Sequence, residues 1–129
     1  MSSIPSDLRY TDAHQWARKD PDGKVTVGIT DYAQQALGDV VFVDLPAEGK
    51  AVVKDRAMFV VESVKAASDV FAPVSGTIVE VNSSLQTDPE TLNSAPYEAW
   101  IVRIEPNHPE EYETLMAAEA YQAVTADGA

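Results

Sequence analysis

Apolar residues recur every second position in Lys24-Val25-Thr26-Val27-Gly28-Ile29, which predicts a strand with Val25, Val27 and Ile29 on one face. A second strand-like run begins near His14. Between them, Asp20-Pro21-Asp22-Gly23 predicts a turn, because Pro fixes one φ and Gly frees another. Thr30 or Asp31 can cap a short helix over 32–37, with Gly38 as its stop. Val40-Val41-Phe42-Val43 reads as a strand buried on both faces, ended by Leu45-Pro46 and a polar turn to Gly49. Next come a short strand at 51–53, a turn at Lys54-Asp55-Arg56, a buried run from Met58 to Val61, and an alternating strand at 76–81. Gly49 and Gly76 each open a strand that closes on an Asx-type turn, at Asp55 and Asn82, a faint internal repeat. Asp88-Pro89-Glu90 predicts a helical turn and 100–104 a last strand. His108-Pro109-Glu110-Glu111 starts a helix that continues through Leu115, Met116, Ala120, Tyr121 and Val124. Ser2 to Asp7 is a polar lead-in, closed by Leu8 and Tyr10. The expectation is mainly β with appended α-helices, one domain over 1–129 with its core at about 24–104 and a C-terminal helical segment at about 109–125.

Charge narrows the function. Lys+Arg 9 against Asp+Glu 21 gives −12, a surface that repels phosphate backbones and anionic lipid. No nucleic-acid or membrane partner is expected. With Cys 0, disulfides, thiolate catalysis and cysteine metal sites are excluded. The longest apolar stretches are too short to cross a bilayer, and the first residues show no secretion signal, so the expected location is cytoplasmic.

A search for catalytic residues finds little. The two histidines, His14 and His108, are far apart. His108, before Pro109, reads as a helix cap or surface residue, and His14, near Trp16, as structural or as part of a cleft wall. The glycines are scattered singly, so no phosphate loop is present, and no ligand spacing supports a metal. Glu110, Glu111 and Glu113 read as a solvated helix face. The expected chain is not an enzyme.

Lys65 stands apart. It follows a buried run, precedes Ala66-Ala67, and is flanked by Glu62 three residues before and Asp69 four after. That spacing sets a lone ammonium at a hairpin tip between small side chains, where an enzyme can reach it. The plainer reading is an exposed turn lysine paired with Glu62 or Asp69, and spacing alone leaves both open.

Glu62-Ser63-Val64-Lys65-Ala66, Ala72-Pro73-Val74-Ser75-Gly76 and Val79-Glu80-Val81-Asn82 resemble the lipoyl-lysine hairpin of the glycine cleavage system H proteins. The likeness extends to His14-Gln15-Trp16, to 27–34, to 37–46, to Asn93-Ser94-Ala95-Pro96-Tyr97, to Trp100 and to 115–121. It implies a barrel-sandwich hybrid of the lipoyl- and biotinyl-carrier kind, a single lipoyl-carrier domain with the lysine on a hairpin turn. It implies lipoate amide-linked to Lys65, with Glu62, Ser63, Val64, Ala66 and Asp69 recognised around it. The implied role is a shuttle carrying the aminomethyl group of glycine from the pyridoxal-phosphate enzyme glycine decarboxylase to a tetrahydrofolate-dependent aminomethyltransferase. Dihydrolipoamide dehydrogenase and lipoylating enzymes are the other implied partners. The resemblance also implies a cleft where the arm rests, formed by His14, Gln15, Ala36, Leu37 and Asp69, with Leu37 as an apolar wall and Asp69 receiving the amine.

Three positions depart from the family pattern: Gln15 replaces a usual Glu, Asp55 a usual Gly, and Tyr97–Trp100 is short and lacks a Gly before the Trp. They leave open a divergent member used in lipoate relay, or an unmodified interaction module. A biotin carrier would place Met on both sides of the lysine, whereas Lys65 lies between Val64 and Ala66. Lipoyl domains of 2-oxoacid dehydrogenases lack the terminal blocks found here.

Overall fold

The computed structural model describes residues 4–126, so Ser2 and Ser3 of the polar lead-in lie outside the described residues. Among the described residues nine strands form two antiparallel sheets. In chain order they are β1 Arg9–Tyr10, β2 Gln15–Lys19, β3 Val25–Ile29, β4 Val40–Asp44, β5 Ala51–Val52, β6 Ala57–Ser63, β7 Ala67–Phe71, β8 Gly76–Val81 and β9 Val102–Pro106. One sheet has the order β1-β2-β3-β9-β8-β5 and the other β4-β6-β7. Helices α1 (Asp31–Leu37), α2 (Thr91–Ser94) and α3 (Ala118–Ala126) pack around them.

Two apolar clusters hold the chain together. The larger joins the sheets through Val27, Ile29, Val43, Val61, Val70, Val74, Ile78 and Ile104. The smaller comprises Leu8, Tyr10, Trp16 and Tyr121, bringing α3 against β1 and β2. The alternation in β3 therefore hides only half of what happens there. Val25, Val27 and Ile29 enter the larger cluster as expected, but Thr26 and the Gly28 backbone are buried too. Trp16 lies across Gly28, where any Cβ would collide with the indole.

Local capping follows the sequence. Thr30 is the N-cap of α1, its hydroxyl accepting from the Ala33 N–H at 3.1 Å. Gly38 ends the helix at φ 78°, a left-handed conformation that favours glycine. Asp55 adopts φ 68°, as a glycine substitute must, whereas its counterpart in the faint repeat, Asn82, has φ −87°. The repeat is nonetheless spatial, since β5 and β8 pair directly, Ala51 opposite Thr77.

Several expectations are corrected. Val40–Val43 is not buried on both faces: β4 is a sheet edge with a bulge at Val41, and Val41 is 53% and Phe42 46% exposed. The bulge breaks the alternation, so two successive side chains reach solvent. The last strand begins at Val102 rather than at Trp100, and the Trp100 carbonyl accepts from Asn82 Nδ2 at 2.8 Å instead of from a neighbouring strand's backbone. The helical turn expected at 88–90 is present, with Thr91 N–H donating to the Asp88 carbonyl at 3.2 Å, and it continues into α2. The C-terminal helix is interrupted: a 3-10 helix at Pro109–Thr114 ends at Leu115, and Met116 bridges to Tyr10 before α3 begins. Glu111 is not part of a solvated face, since its carboxylate accepts from Ser75 N–H at 2.7 Å and Ser75 Oγ at 3.1 Å.

Arg103 ties the β2–β3 turn to β8 and β9, reaching Asp20 at 3.1 Å, Asp22 at 3.0 Å and Glu80 at 3.2 Å. Burial works to raise the Asp20 carboxyl, but hydrogen bonds from Thr26, Arg18 and Arg103 outweigh it and hold it below the ordinary 3.8. A depressed carboxyl stabilises the fold fully above its unfolded value and ceases to as pH falls through its folded value. Asp20→Asn should lower stability by about 1–3 kcal/mol at neutral pH. In urea melts that deficit should narrow towards about pH 3. An equal deficit at both pH values would place the stabilisation elsewhere.

Candidate functional site

Lys65 is exposed on the three-residue connection between β6 and β7. Ser63 closes this turn. Its N–H donates to the Ala66 carbonyl at 2.8 Å, and its hydroxyl donates to the same carbonyl while accepting from the N–H groups of Lys65 and Ala66. The Val64 N–H donates to the Asp39 carbonyl at 3.0 Å, docking the tip on the residue that follows α1 and Gly38. The turn thus satisfies its own backbone and leaves the Lys65 ammonium unused. Among the described residues no carboxylate lies within ion-pair distance of it, Glu62 and Asp69 included. The plain reading of a paired turn lysine therefore does not hold. By contrast Lys24 is paired with Asp22, Lys50 donates to the Met58 carbonyl, and Lys54 lies 3.8 Å from Asp55.

The Lys65 stem lies against the end of α1. A Cβ on Gly38 would stand 3.2 Å from Lys65 Cε, so the left-handed glycine also makes room for the lysine. Behind it, Asn93 clamps the helix end, donating to the Gly38 carbonyl at 2.8 Å and to Gln34 Oε1 at 3.0 Å, and accepting from Val40 N–H at 2.8 Å.

Next to the tip is a cavity of about 330 Å³. The structure brings His14, Gln15, Ala36, Leu37 and Asp69 together in its wall, with Ala33, Ile29, Val61 and Val70 adding apolar surface. Ala66 and Ala67, directly after Lys65, line it as well. Its floor is apolar, and Asp69 is a carboxylate on its wall. Such a trough, starting at an unpaired amine, fits a flexible aliphatic arm with a polar end.

Gln15 contributes differently from a free polar group. It is 2% exposed; its Oε1 accepts from the Thr11 hydroxyl at 2.7 Å and its Nε2 donates to the Ala13 carbonyl at 2.9 Å. His14 has φ 70° and stacks on Tyr32 with ring centroids 4.4 Å apart. Burial pushes its pKa below the ordinary 6.5, with Asp12 acting in the opposite direction. His108 is exposed at the start of the 3-10 helix, and its side chain caps nothing.

Sequence patterning missed two features. One is the apolar rim of the tip: Val64 is 66% exposed, and Val41 and Phe42 sit on the strand paired with β6, Phe42 opposite Glu62. An unbroken apolar run carries no mark of its bulge. The other is Tyr121, which reaches His14 across 107 residues of chain and could not be found from local spacing.

The sequence model of the family described as "Glycine cleavage H-protein" matches residues 8–128. A protein of Psychrobacter sp. (strain PRwf-1) named "Glycine cleavage system H protein" is 53% identical over 124 residues, 95% of this chain and 98% of its own length. One from Pseudomonas putida, named "Glycine cleavage system H protein 2", is 52% identical over 124 residues, 96% of this chain and 98% of its own. The crystal structure of a glycine cleavage system H protein from Mycobacterium marinum superposes with a TM-score of 0.87 at 41% identity, covering 95% of this chain and 99% of that one.

The Gln15 geometry yields a test of its own. In Gln15→Glu, the oxygen replacing Nε2 would face the Ala13 carbonyl unless it held a proton. Its pKa should therefore lie above that of an exposed Glu, near 4.3. A raised carboxyl costs nothing below its unfolded value and destabilises as pH rises through and above it. Thermal melts should show Gln15→Glu close to wild type near about pH 4 and weaker by about 1–3 kcal/mol at neutral pH. Equal stability at neutral pH would mean that the side chain turns into the cavity.

Proposed function

The chain belongs to the glycine cleavage H-protein family, whose place is that of the carrier in the glycine cleavage system, and we propose that Lys65 is the residue on which it carries lipoate. The observation behind this assignment is the unpaired Lys65 ammonium on a self-satisfied turn beside an arm-sized apolar cavity. The other lysines with assigned partners, Lys24, Lys50 and Lys54, lack that combination. Lipoate bound there would supply the disulfide that takes up the aminomethyl group of glycine and surrenders it to the next enzyme. Amide formation removes the lysine charge, so the stem can lie along the end of α1 without an ion partner.

The protein's own residues then have three tasks. Ser63 and the Asp39 carbonyl fix the tip, so that a modifying enzyme meets a preformed turn. Glu62, Val64, Ala66 and Asp69 are the side chains that enzyme would read around Lys65. The cavity shelters the arm between visits, with Leu37 and Ala36 against its apolar length and Asp69 accepting hydrogen bonds from a cationic amine.

Glycine decarboxylase, the tetrahydrofolate-dependent aminomethyltransferase and dihydrolipoamide dehydrogenase would be met in turn. The exposed Val41, Phe42 and Val64 offer each a small apolar contact, and the −12 charge would speed encounter with cationic rims. A cytoplasmic setting belongs to the same reading; among the described residues no helix is long and apolar enough to cross a membrane. We take the whole chain as one lipoyl-carrier domain.

Lys65→Arg should keep the melting temperature, lose the lipoyl mass adduct and abolish reconstituted glycine cleavage; a retained adduct would end the assignment. Asp69→Asn should leave lipoylation intact. It should speed loss of the carried amine to water by about three- to tenfold when the transferase is absent, because a neutral acceptor holds an ammonium about half as strongly. An unchanged lifetime would remove Asp69 from the resting site.

A further inference from the structure

The far end of the chain supplies the support for His14. Its Nδ1 lies 2.8 Å from the Tyr121 hydroxyl of α3. That hydroxyl is 2.7 Å from Thr30 Oγ1, which accepts from the Ala33 N–H at 3.1 Å. A backbone N–H can only donate, so this contact fills one lone pair of Thr30 Oγ1 and leaves its own hydrogen to be placed, and that hydrogen sets the direction of the chain. The hydrogen of Thr30 has one acceptor among the described residues, the Tyr121 oxygen. The Tyr121 hydrogen then goes to His14 Nδ1, which must present a lone pair and leave its proton on Nε2. A proton on Nδ1 would leave either the Thr30 or the Tyr121 hydroxyl hydrogen without an acceptor, and both residues are 0% exposed.

We propose that Tyr121 is a positioning residue for the cleft, holding His14 through the Thr30–Tyr121 relay as the uncharged Nε2–H tautomer, so that the cavity shared with Asp69 contains a hydrogen-bond donor without a second positive charge. The proposal rests on the reading that the arm and its amine lodge in this cavity. A protonated His14 would repel an ammonium drawn to Asp69, whereas a neutral ring with a free N–H does not. Nε2 makes no hydrogen bond within the protein among the described residues, and His14 lines the cavity. The titratable groups around the ring are Asp12 on its own loop, Tyr32 on α1, Tyr121 on α3 and Asp69 on β7. Burial disfavours the charged ring, and Asp12 opposes that. Tyr121 itself is raised to about 12, chiefly by burial, so its hydroxyl keeps its proton throughout the working range.

The test begins on the lipoate-free protein with nitrogen-15 labelled histidine. Only His14 and His108 contribute signals, and the exposed His108 is an internal reference. Wild-type His14 should show the Nε2–H tautomer and a midpoint below 6.5. Tyr121→Phe should mix the tautomers and raise the midpoint by about one pH unit, corresponding to about 1.4 kcal/mol, with His108 unmoved. Thr30→Val should do the same and Thr30→Ser should restore wild-type behaviour, so the relay is tested even if Tyr121→Phe folds poorly. An Nδ1–H tautomer in the wild type, or a His14 midpoint indifferent to both variants, overturns the proposal. On the lipoylated protein, Tyr121→Phe should speed amine loss as pH falls below the raised midpoint. Loss rates that ignore Tyr121→Phe but respond to Asp69→Asn overturn the proposal and leave the cavity reading standing. Rates that respond to neither overturn the cavity reading, and the proposal with it.

Discussion

On the proposed reading, a carrier lysine has to be held in place by everything except its own charge. Here that constraint is met by the Ser63 hydroxyl, which takes two N–H groups of the tip while donating to the Ala66 carbonyl. A turn closed in this way needs no side-chain partner from Lys65. The Asp39 carbonyl then docks the turn on the end of α1, and Asn93 ties that end to β4. The lysine, the helix whose residues wall the cavity, and the strand bearing the apolar rim therefore share one hydrogen-bonded frame. Displacing any of them would shift the amine relative to its shelter.

The cavity shows the same economy of charge. Buried polar side chains in and behind its wall are committed to fixed partners: Gln15 on the wall to Thr11 and Ala13, and Thr30 behind it to Ala33 and Tyr121. A buried polar group left without a partner costs about 1–3 kcal/mol, so such sites are either paired or avoided. Asp69 is the carboxylate left on the wall. For the proposed cationic cargo, one exposed anion over an apolar floor would give retention without permanent capture, which suits a group that must be passed on.

The aromatic cluster joins the terminal segments to the wall of the cavity. Tyr10 stacks on Tyr121 with centroids 4.7 Å apart, and Trp16 donates to the Pro96 carbonyl at 2.9 Å. These contacts bring α3 to the back of His14. The Met116–Tyr10 bridge that interrupts the C-terminal helix makes this possible, since an unbroken helix would not leave α3 free to take its own direction across β1.

Sequence alone determined whatever depends on local chemistry. The Asp20–Gly23 turn, the Thr30 cap, the Gly38 stop and the left-handed Asp55 are set by side chains within a few residues of the backbone they govern. At Lys65 local spacing, a lysine before Ala66-Ala67 and between two acids, left a plain turn lysine open; the proposed lipoyl role rests on a resemblance that covers nearly the whole chain. Tertiary structure decided what depends on which distant surface arrives. Val41 and Phe42 are exposed because β4 ends a sheet and bulges, a fact of pairing that an apolar run cannot encode. Glu111 left the solvated face because Ser75 needed an acceptor. Gln15 is spent on Thr11 and Ala13, and His14 meets the hydroxyl of a tyrosine 107 residues away. Hydrogen-bond direction and burial belong to the assembled environment, and no single segment contains it.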